Sequence, residues 1–182
     1  MSVFSNPAGR ASGAAHAYVE AVLDILGDRD PLTVLDAGPR RLRELTAGLA
    51  DTDLRRPERE GKWSIIEVTK HLADAELVAS FRYRITLAQD KPRITGFDQD
   101  AWARELGYHK ADLEETVDLY RAVRNTNVAL LRALTKEQLQ RVGIHEERGP
   151  ESVELLMKLM AGHDLIHQRQ IERIRKTPRP EA

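Results

Sequence analysis

The chain has 182 residues, of which 41% are hydrophobic and 31% are charged, a composition typical of one globular domain. Its 28 basic and 29 acidic residues give a net charge of −1, so no overall field favours binding to nucleic acid or to an anionic membrane surface. No apolar run is long enough for a transmembrane helix or a secretory signal, and we therefore expect a cytoplasmic protein. The chain has no cysteine, so any metal ion must be bound by histidine and carboxylate side chains.

Apolar residues recur at spacings of three and four along the chain, and no segment shows the alternation that strands require. Helices are therefore predicted at about residues 13–26, 32–50, 64–88, 98–106, 110–134 and 151–175. Loops are predicted at 51–62 and 89–96. Capping boxes mark the starts of two segments, at Ser64 with Glu67 and at Thr135 with Gln138.

The four long predicted helices after residue 31 suggest an all-α four-helix bundle with an extra N-terminal helix. The sequence divides into a helical N-terminal extension at 1–30, a metal-binding bundle at 31–176 and a frayed tail at 177–182 that contains two prolines. Such bundles commonly build metal sites from inward-facing side chains on neighbouring helices, so the polar residues on the apolar faces decide the function.

His163 and His167 lie on the apolar face of the last helix, whereas Lys158, Arg169 and Glu172 lie on the opposite face. At a spacing of four residues both imidazoles can converge on one ion. The spacing alone is weak evidence, because six histidines would give such a pair by chance about one time in six. Burial of both rings on one face favours metal ligation over a hydrogen-bonded structural pair.

His71 lies on the inward stripe of the helix that begins near Ser64, so it is the predicted third ligand. Three histidines leave coordination positions open for water or substrate, as in catalytic sites. Glu67 and Asp74 flank His71 and are candidate catalytic residues that would orient it or act as a general base. The alternatives are that Glu67 only caps its helix and that Asp74 faces solvent.

Two further residues are candidates for substrate binding. Arg82 lies on the same stripe as His71 and would bind an anionic group, unless its side chain extends to the end of the bundle. Trp102 belongs to the segment 97–102, predicted either as a lid beside the metal or as a simple cap on the bundle. The remaining histidines are interpreted as surface residues: His16, His109 and His145.

Three motifs resemble those of the DinB-like, or YfiT-like, superfamily. They are GKWSIIEVTKHLADAE at 61–76, FDQDAWA at 97–103 and GHDLIHQRQIER at 162–173, and they occur in the family's order between about residues 32 and 175. The resemblance implies a four-helix bundle, often a homodimer, that binds one Zn²⁺ or Ni²⁺ per chain. It implies that His71, His163 and His167 are the ligands.

The resemblance implies function less sharply, because its members include metal-dependent hydrolases and transferases of low-molecular-weight thiols such as bacillithiol. In a hydrolase the ion would lower the pKa of a bound water to about 7, and Asp74 or Glu67 would accept a proton. In a transferase the ion would ionise a thiol supplied from outside the chain. A non-catalytic metal-binding stress protein is the third alternative, distinguished by a closed coordination sphere.

Overall fold

The computed structural model describes residues 12–177, which form helices, one 3₁₀ turn and three short strands. The longer helices are α1 (Ser12–Leu26), α2 (Pro31–Thr46), α4 (Ile65–Ala88), α6 (Leu113–Arg132) and α8 (Val153–Lys176). The shorter elements are α3 (Asp51–Arg55), α5 (Gln99–Glu105), α7 (Lys136–Leu139) and the 3₁₀ turn at Tyr108–Lys110. The strands are β1 (Arg93–Ile94), β2 (Val142–His145) and β3 (Gly149–Ser152).

Four helices form the predicted bundle. Helix α2 packs against α6 and α8, and α4 packs against the same two helices, so α2 and α4 lie on one diagonal of the bundle. The extra N-terminal helix α1 packs along α8. Gly162 permits this contact, because a Cβ atom at that position would collide with the backbone carbonyl oxygen of Val22.

Both predicted capping boxes are confirmed. The backbone N–H of Ser64 donates to the Glu67 carboxylate at 2.8 Å, and this places the start of α4 about two turns before His71. The backbone N–H of Thr135 likewise donates to the side-chain oxygen of Gln138 at 2.9 Å. These bonds satisfy backbone donors that have no partner within the helix.

The sheet was not predicted. Strand β1 pairs in parallel with β2, and β2 pairs antiparallel with β3. Each strand has only two to four residues, which is too short for an alternating pattern to emerge from the sequence. The sheet leads directly into α8, because Ser152 at the end of β3 also caps that helix.

Several predicted boundaries are also wrong by a few residues. Helix α2 ends at Thr46 rather than near residue 50, and α3 occupies part of the predicted loop at 51–62. Helix α6 begins at Leu113, after the 3₁₀ turn, rather than near residue 110. The predicted tail after residue 177 and the first residues of the N-terminal extension lie outside the described residues.

Two apolar clusters fill the bundle, one on each side of a buried polar layer. The first includes Leu35, Val128 and Leu156, and the second includes Leu42, Leu72 and Ile171. Each helix of the bundle contributes to both clusters, and on α6 and α8 the buried polar residues Arg124 and Asp164 lie between the two clusters in sequence. The histidines of α4 and α8 therefore lie in a core that is apolar apart from its buried polar residues.

Candidate metal centre

The structure brings His71 of α4 together with His163 and His167 of α8. One nitrogen of each ring lies within 4.8 Å of the corresponding nitrogens of the other two rings. The Nε2 atoms of His71 and His163 are 3.0 Å apart, and the ring centroids of His163 and His167 are 4.4 Å apart. His71 and His167 are buried, and His163 is partly exposed. The rings therefore converge on one point inside the bundle.

The protonation states suit metal binding. Burial lowers the pKa of His71 well below its ordinary value, and His167 lowers it further. Burial also lowers the pKa values of His163 and His167, although for His167 a hydrogen bond to Gln170 and the charge of Asp164 act in the opposite direction. Neutral imidazoles carry the free lone pair that a metal ion needs.

The hydrogen bonds around the three rings do not use all of their nitrogen atoms. His167 Nδ1 lies 2.8 Å from the side-chain oxygen of Gln170, so Nε2 can be the metal-binding atom when Nδ1 carries the hydrogen. Within residues 12–177, Nδ1 of His71 and Nδ1 of His163 have no hydrogen-bond partner. The Nε2 atoms of His71 and His163 face each other at 3.0 Å, so the converging nitrogens of the three imidazoles are available to one divalent ion.

The two candidate catalytic carboxylates are engaged elsewhere in this structure. Glu67 accepts hydrogen bonds from the backbone and the hydroxyl group of Ser64. Asp74 is buried and accepts a hydrogen bond from Lys70 Nζ at 2.7 Å. Neither carboxylate orients His71 through Nδ1, since that atom has no partner among the residues described.

Aromatic rings surround His71. The ring centroid of Trp63 lies 4.9 Å from that of His71, and the Phe97 centroid lies 6.5 Å away on the segment that follows β1. The chain therefore folds back after α4, as a lid at residues 97–102 requires. Trp63 was not among the predicted site residues, because nothing in the local sequence indicates its contact with the imidazole.

A chamber of about 60 Å³ opens above the histidines and is lined by His71 and His163. Its wall carries charged and polar groups from four parts of the chain: Tyr18, Arg82, Gln99 and Arg148. Arg82 thus lies at the chamber, whereas Trp102 lines a neighbouring cavity and packs against Phe97, with the ring centroids 4.7 Å apart. Tyr18 and Arg148 were not predicted, because they approach the site from α1 and from the β2–β3 turn.

A second buried polar cluster lies in the middle layer of the bundle, and the sequence did not predict it. Arg124 of α6 donates to Glu76 at 2.7 Å and to both carboxylate oxygens of Asp164. Tyr120 also donates to Asp164 at 2.8 Å, and Asn127 donates to Glu76 at 2.7 Å. Asp164 follows His163 in the sequence, so α8 contributes to both clusters.

The prediction that His145 lies on the surface is wrong. Its side chain is 1% exposed, because β2 places it on the inner face of the unpredicted sheet. Its Nδ1 accepts a hydrogen bond from the backbone N–H of Glu147 at 3.2 Å, and its Nε2 has no partner in the described part of the chain. His16 and His109 are exposed, as predicted.

The family model described as the DinB superfamily matches residues 35–171, which span α2 to α8 and include all three histidines. The chain belongs to the DinB superfamily. A protein of Geobacillus thermodenitrificans named "Putative metal-dependent hydrolase" is 33% identical over 140 residues, which cover 76% of this chain and 78% of that protein. The family assignment made from the three motifs is therefore confirmed.

YfiT of Bacillus subtilis is similar in both sequence and structure. It is named "Putative metal-dependent hydrolase YfiT" and is 29% identical over 116 residues, which cover 64% of this chain and 65% of that protein. Its solved structure, described as having an unusual four-helix bundle topology, superposes with a TM-score of 0.72 and 26% identity. The superposition covers 79% of this chain and 84% of that one, which confirms the predicted bundle.

None of the helices within residues 12–177 combines the length and the apolar character needed to cross a membrane. The relatives and the three-histidine cluster together support binding of a divalent metal ion.

Proposed function

We propose that this member of the DinB superfamily is a metal-dependent hydrolase of a small-molecule substrate. The single observation that carries the proposal is the convergence of His71, His163 and His167 beside an open chamber. A site that only stored metal or stabilised the fold would favour a closed coordination sphere. The names of the relatives point to the same class of reaction.

One Zn²⁺ or Ni²⁺ ion per chain fits the donor set, because imidazole nitrogen suits both metals. Bound there, such an ion would act as a Lewis acid and lower the pKa of a water or thiol that it coordinates. The chain contributes neutral imidazoles held in place by helix packing, and the Trp63 and Phe97 rings restrict the access of water to His71. Arg82 at the chamber would orient an anionic substrate.

Thiol transfer is the second candidate, and one observation favours it. Hydrolysis requires a proton acceptor close to the reacting water, but the carboxylates of Glu67 and Asp74 are bound to Ser64 and Lys70. Attack by an already ionised thiol requires no such acceptor at that step. The thiol would come from solution, since the chain contains no cysteine.

The two candidates are separated by assaying the purified protein after loading with Zn²⁺ or Ni²⁺. Hydrolysis would be followed with p-nitrophenyl esters of graded chain length, and thiol transfer with bacillithiol or N-acetylcysteine and 1-chloro-2,4-dinitrobenzene. The proposal expects ester hydrolysis that chelation removes and that His163→Ala does not support. Metal-dependent thiol transfer without hydrolysis would contradict the hydrolase proposal and support thiol transfer. Stoichiometric metal binding with neither activity would favour a non-catalytic protein.

We also propose that the protein forms a homodimer. Phe81 and Leu77 on α4 are 65% and 43% exposed, which leaves apolar surface available for a second copy. Light scattering at high micromolar concentration would detect the dimer. A monomer under those conditions would contradict the proposal.

A further inference from the structure

A second, larger cavity lies beside the chamber, between α4 and the segment that contains β1. Its volume is about 360 Å³, which falls within the range of small-molecule binding sites. Apolar side chains form most of its lining: Leu77, Val78, Phe81, Ile85, Ile94 and Trp102. An apolar group of several carbon atoms would therefore be its natural occupant.

The cavity and the histidine chamber are contiguous. Val78, Arg82, Gly96 and Phe97 line both of them. The Phe97 ring lies between the two spaces, since its centroid is 6.5 Å from that of His71 and 4.7 Å from that of Trp102. A ligand in the cavity would therefore lie beside the histidine chamber, with the Phe97 ring between the two spaces.

A cation lies at the junction of the two spaces. Arg82 donates a hydrogen bond to the backbone oxygen of Thr95 at 2.7 Å, and within residues 12–177 it forms no ion pair. Glu151, which acts on Arg82 electrostatically, is already paired with Arg148. Burial and, to a smaller extent, Arg148 lower the pKa of Arg82 to about 10 against the opposing effects of Glu151, Tyr18 and Glu147, so the group remains charged at neutral pH.

Together these observations restrict the chemistry of the ligand. A partly buried guanidinium group bonded to a neutral carbonyl has unused donors, and an anion would satisfy them with charge-assisted hydrogen bonds. We propose that the substrate is an amphipathic organic anion whose carboxylate binds Arg82 and whose apolar body fills the cavity lined by Ile85 and Trp102. The remaining part of the molecule faces the histidines. Only this last contact rests on the proposed hydrolase function.

Binding can be measured by isothermal titration calorimetry of the full-length protein, with and without zinc, against three probes of equal chain length. The probes are octanoate, octan-1-ol and octylammonium, which differ in charge. Octanoate is expected to bind one molecule per chain, at least tenfold more tightly than octan-1-ol, and octylammonium should bind most weakly. This comparison needs no variant.

Two variants test the assigned contacts. Arg82→Gln should abolish the preference for octanoate over octan-1-ol, because it removes the charge and retains a polar side chain. Ile85→Trp should lower the affinity for both probes at least tenfold, because the larger side chain would fill the cavity. Leu106→Trp is the matched control, since Leu106 is 58% exposed and lies outside the cavity lining, and it should leave both affinities unchanged.

Equal affinity for octanoate and octan-1-ol would overturn the inference, as would the absence of octanoate binding. If octanoate does not bind and Phe81→Asp dissociates a dimer, the cavity is a contact between subunits and not a ligand site. Zinc binding without octanoate binding would defeat only this inference. Octanoate binding by a protein that binds no zinc would defeat only the hydrolase proposal.

Discussion

Two buried polar clusters occupy the same bundle, and they differ in whether the chain completes them. The guanidinium group of Arg124 is bonded to Glu76, Asp164 and the backbone oxygen of Leu35, and only its Nε lacks a partner among the described residues. In the histidine cluster the Nε2 atoms of two rings face one another, and Nδ1 of each of these rings has no partner in that part of the chain.

The difference separates a structural cluster from a binding site. The carboxylates of Glu76 and Asp164 supply the opposite charge and the hydrogen-bond acceptors that Arg124 needs inside the bundle, so its partners come from the chain itself. Gly38 makes room for it, because a Cβ atom there would lie 2.8 Å from Arg124 Nη1. Among the described residues, His71 and His163 have no carboxylate bonded to them, and a bound divalent ion would be their charged partner. Variants of the two clusters test this distinction.

The largest effect on stability is expected when the cluster around Arg124 is disrupted. Arg124→Met leaves the buried carboxylates of Glu76 and Asp164 without a cation, and it should lower the free energy of unfolding by about 3–5 kcal/mol. Urea denaturation followed by circular dichroism measures this loss. Arg121→Met on the exposed side of the same helix is the control, with an expected change of at most about 0.5 kcal/mol. Similar midpoints for the two variants would contradict the structural role.

Breaking the histidine cluster should affect metal binding far more than folding. At a zinc concentration of about 100 times the dissociation constant, the wild-type protein should gain about 2.7 kcal/mol of stability, because the ion binds only the folded state. His163→Ala should lose that gain and the bound zinc. Thermal unfolding and metal analysis with and without zinc test this, with the exposed residue His109 replaced by alanine as control. The expectation fails if the variant retains stoichiometric zinc.

A smaller effect is expected from the residue that orients one ligand. Gln170→Leu removes the hydrogen bond to His167 Nδ1, and loss of such an outer partner typically weakens metal affinity by about 10- to 100-fold. The free energy of unfolding without metal should hardly change. Competition with a chromogenic zinc chelator measures the affinity, and Gln168→Leu on the same helix serves as control. Unchanged affinity in Gln170→Leu would show that helix packing alone orients the ring.

The smallest effect concerns His145, an isolated buried imidazole. Burial, Arg148 and Arg82 lower its pKa to about 3 in the folded protein, whereas an unfolded chain has a pKa of about 6.5 for histidine. Between these values the unfolded chain binds more protons, so stability falls as the pH is lowered below about 6.5. By pH 5.5 this group alone should account for a loss of about 1 kcal/mol.

His145→Gln tests the assignment by comparison with the wild type, both without metal. The loss of stability between pH 7.5 and pH 5.5 should be smaller in the variant by about 1 kcal/mol, and zinc binding at pH 7.5 should be unchanged. Urea titrations at the two pH values give the numbers. Loss of zinc binding in His145→Gln would show that this isolated imidazole also affects the metal site, and it would contradict the assignment of zinc binding to the three converging histidines.

Local sequence patterns determined the helices and the inward position of the metal-site histidines. The 3.6-residue period shows which face of a helix is buried, and the capping boxes at Ser64 and Thr135 mark where helices begin. His163 and His167 are neighbours because they lie one turn apart on one helix. Both kinds of signal act over a few residues, so they do not depend on the rest of the fold.

Tertiary structure alone decided which distant groups meet. The burial of Arg124 depends on carboxylates from α4 and α8, and the burial of His145 depends on strands too short to leave a pattern. Phe97 reaches His71 only because the chain reverses after α4 and pairs β1 with β2. A side chain's periodic position predicts its face, but its partners depend on how helices and strands far apart in sequence pack together.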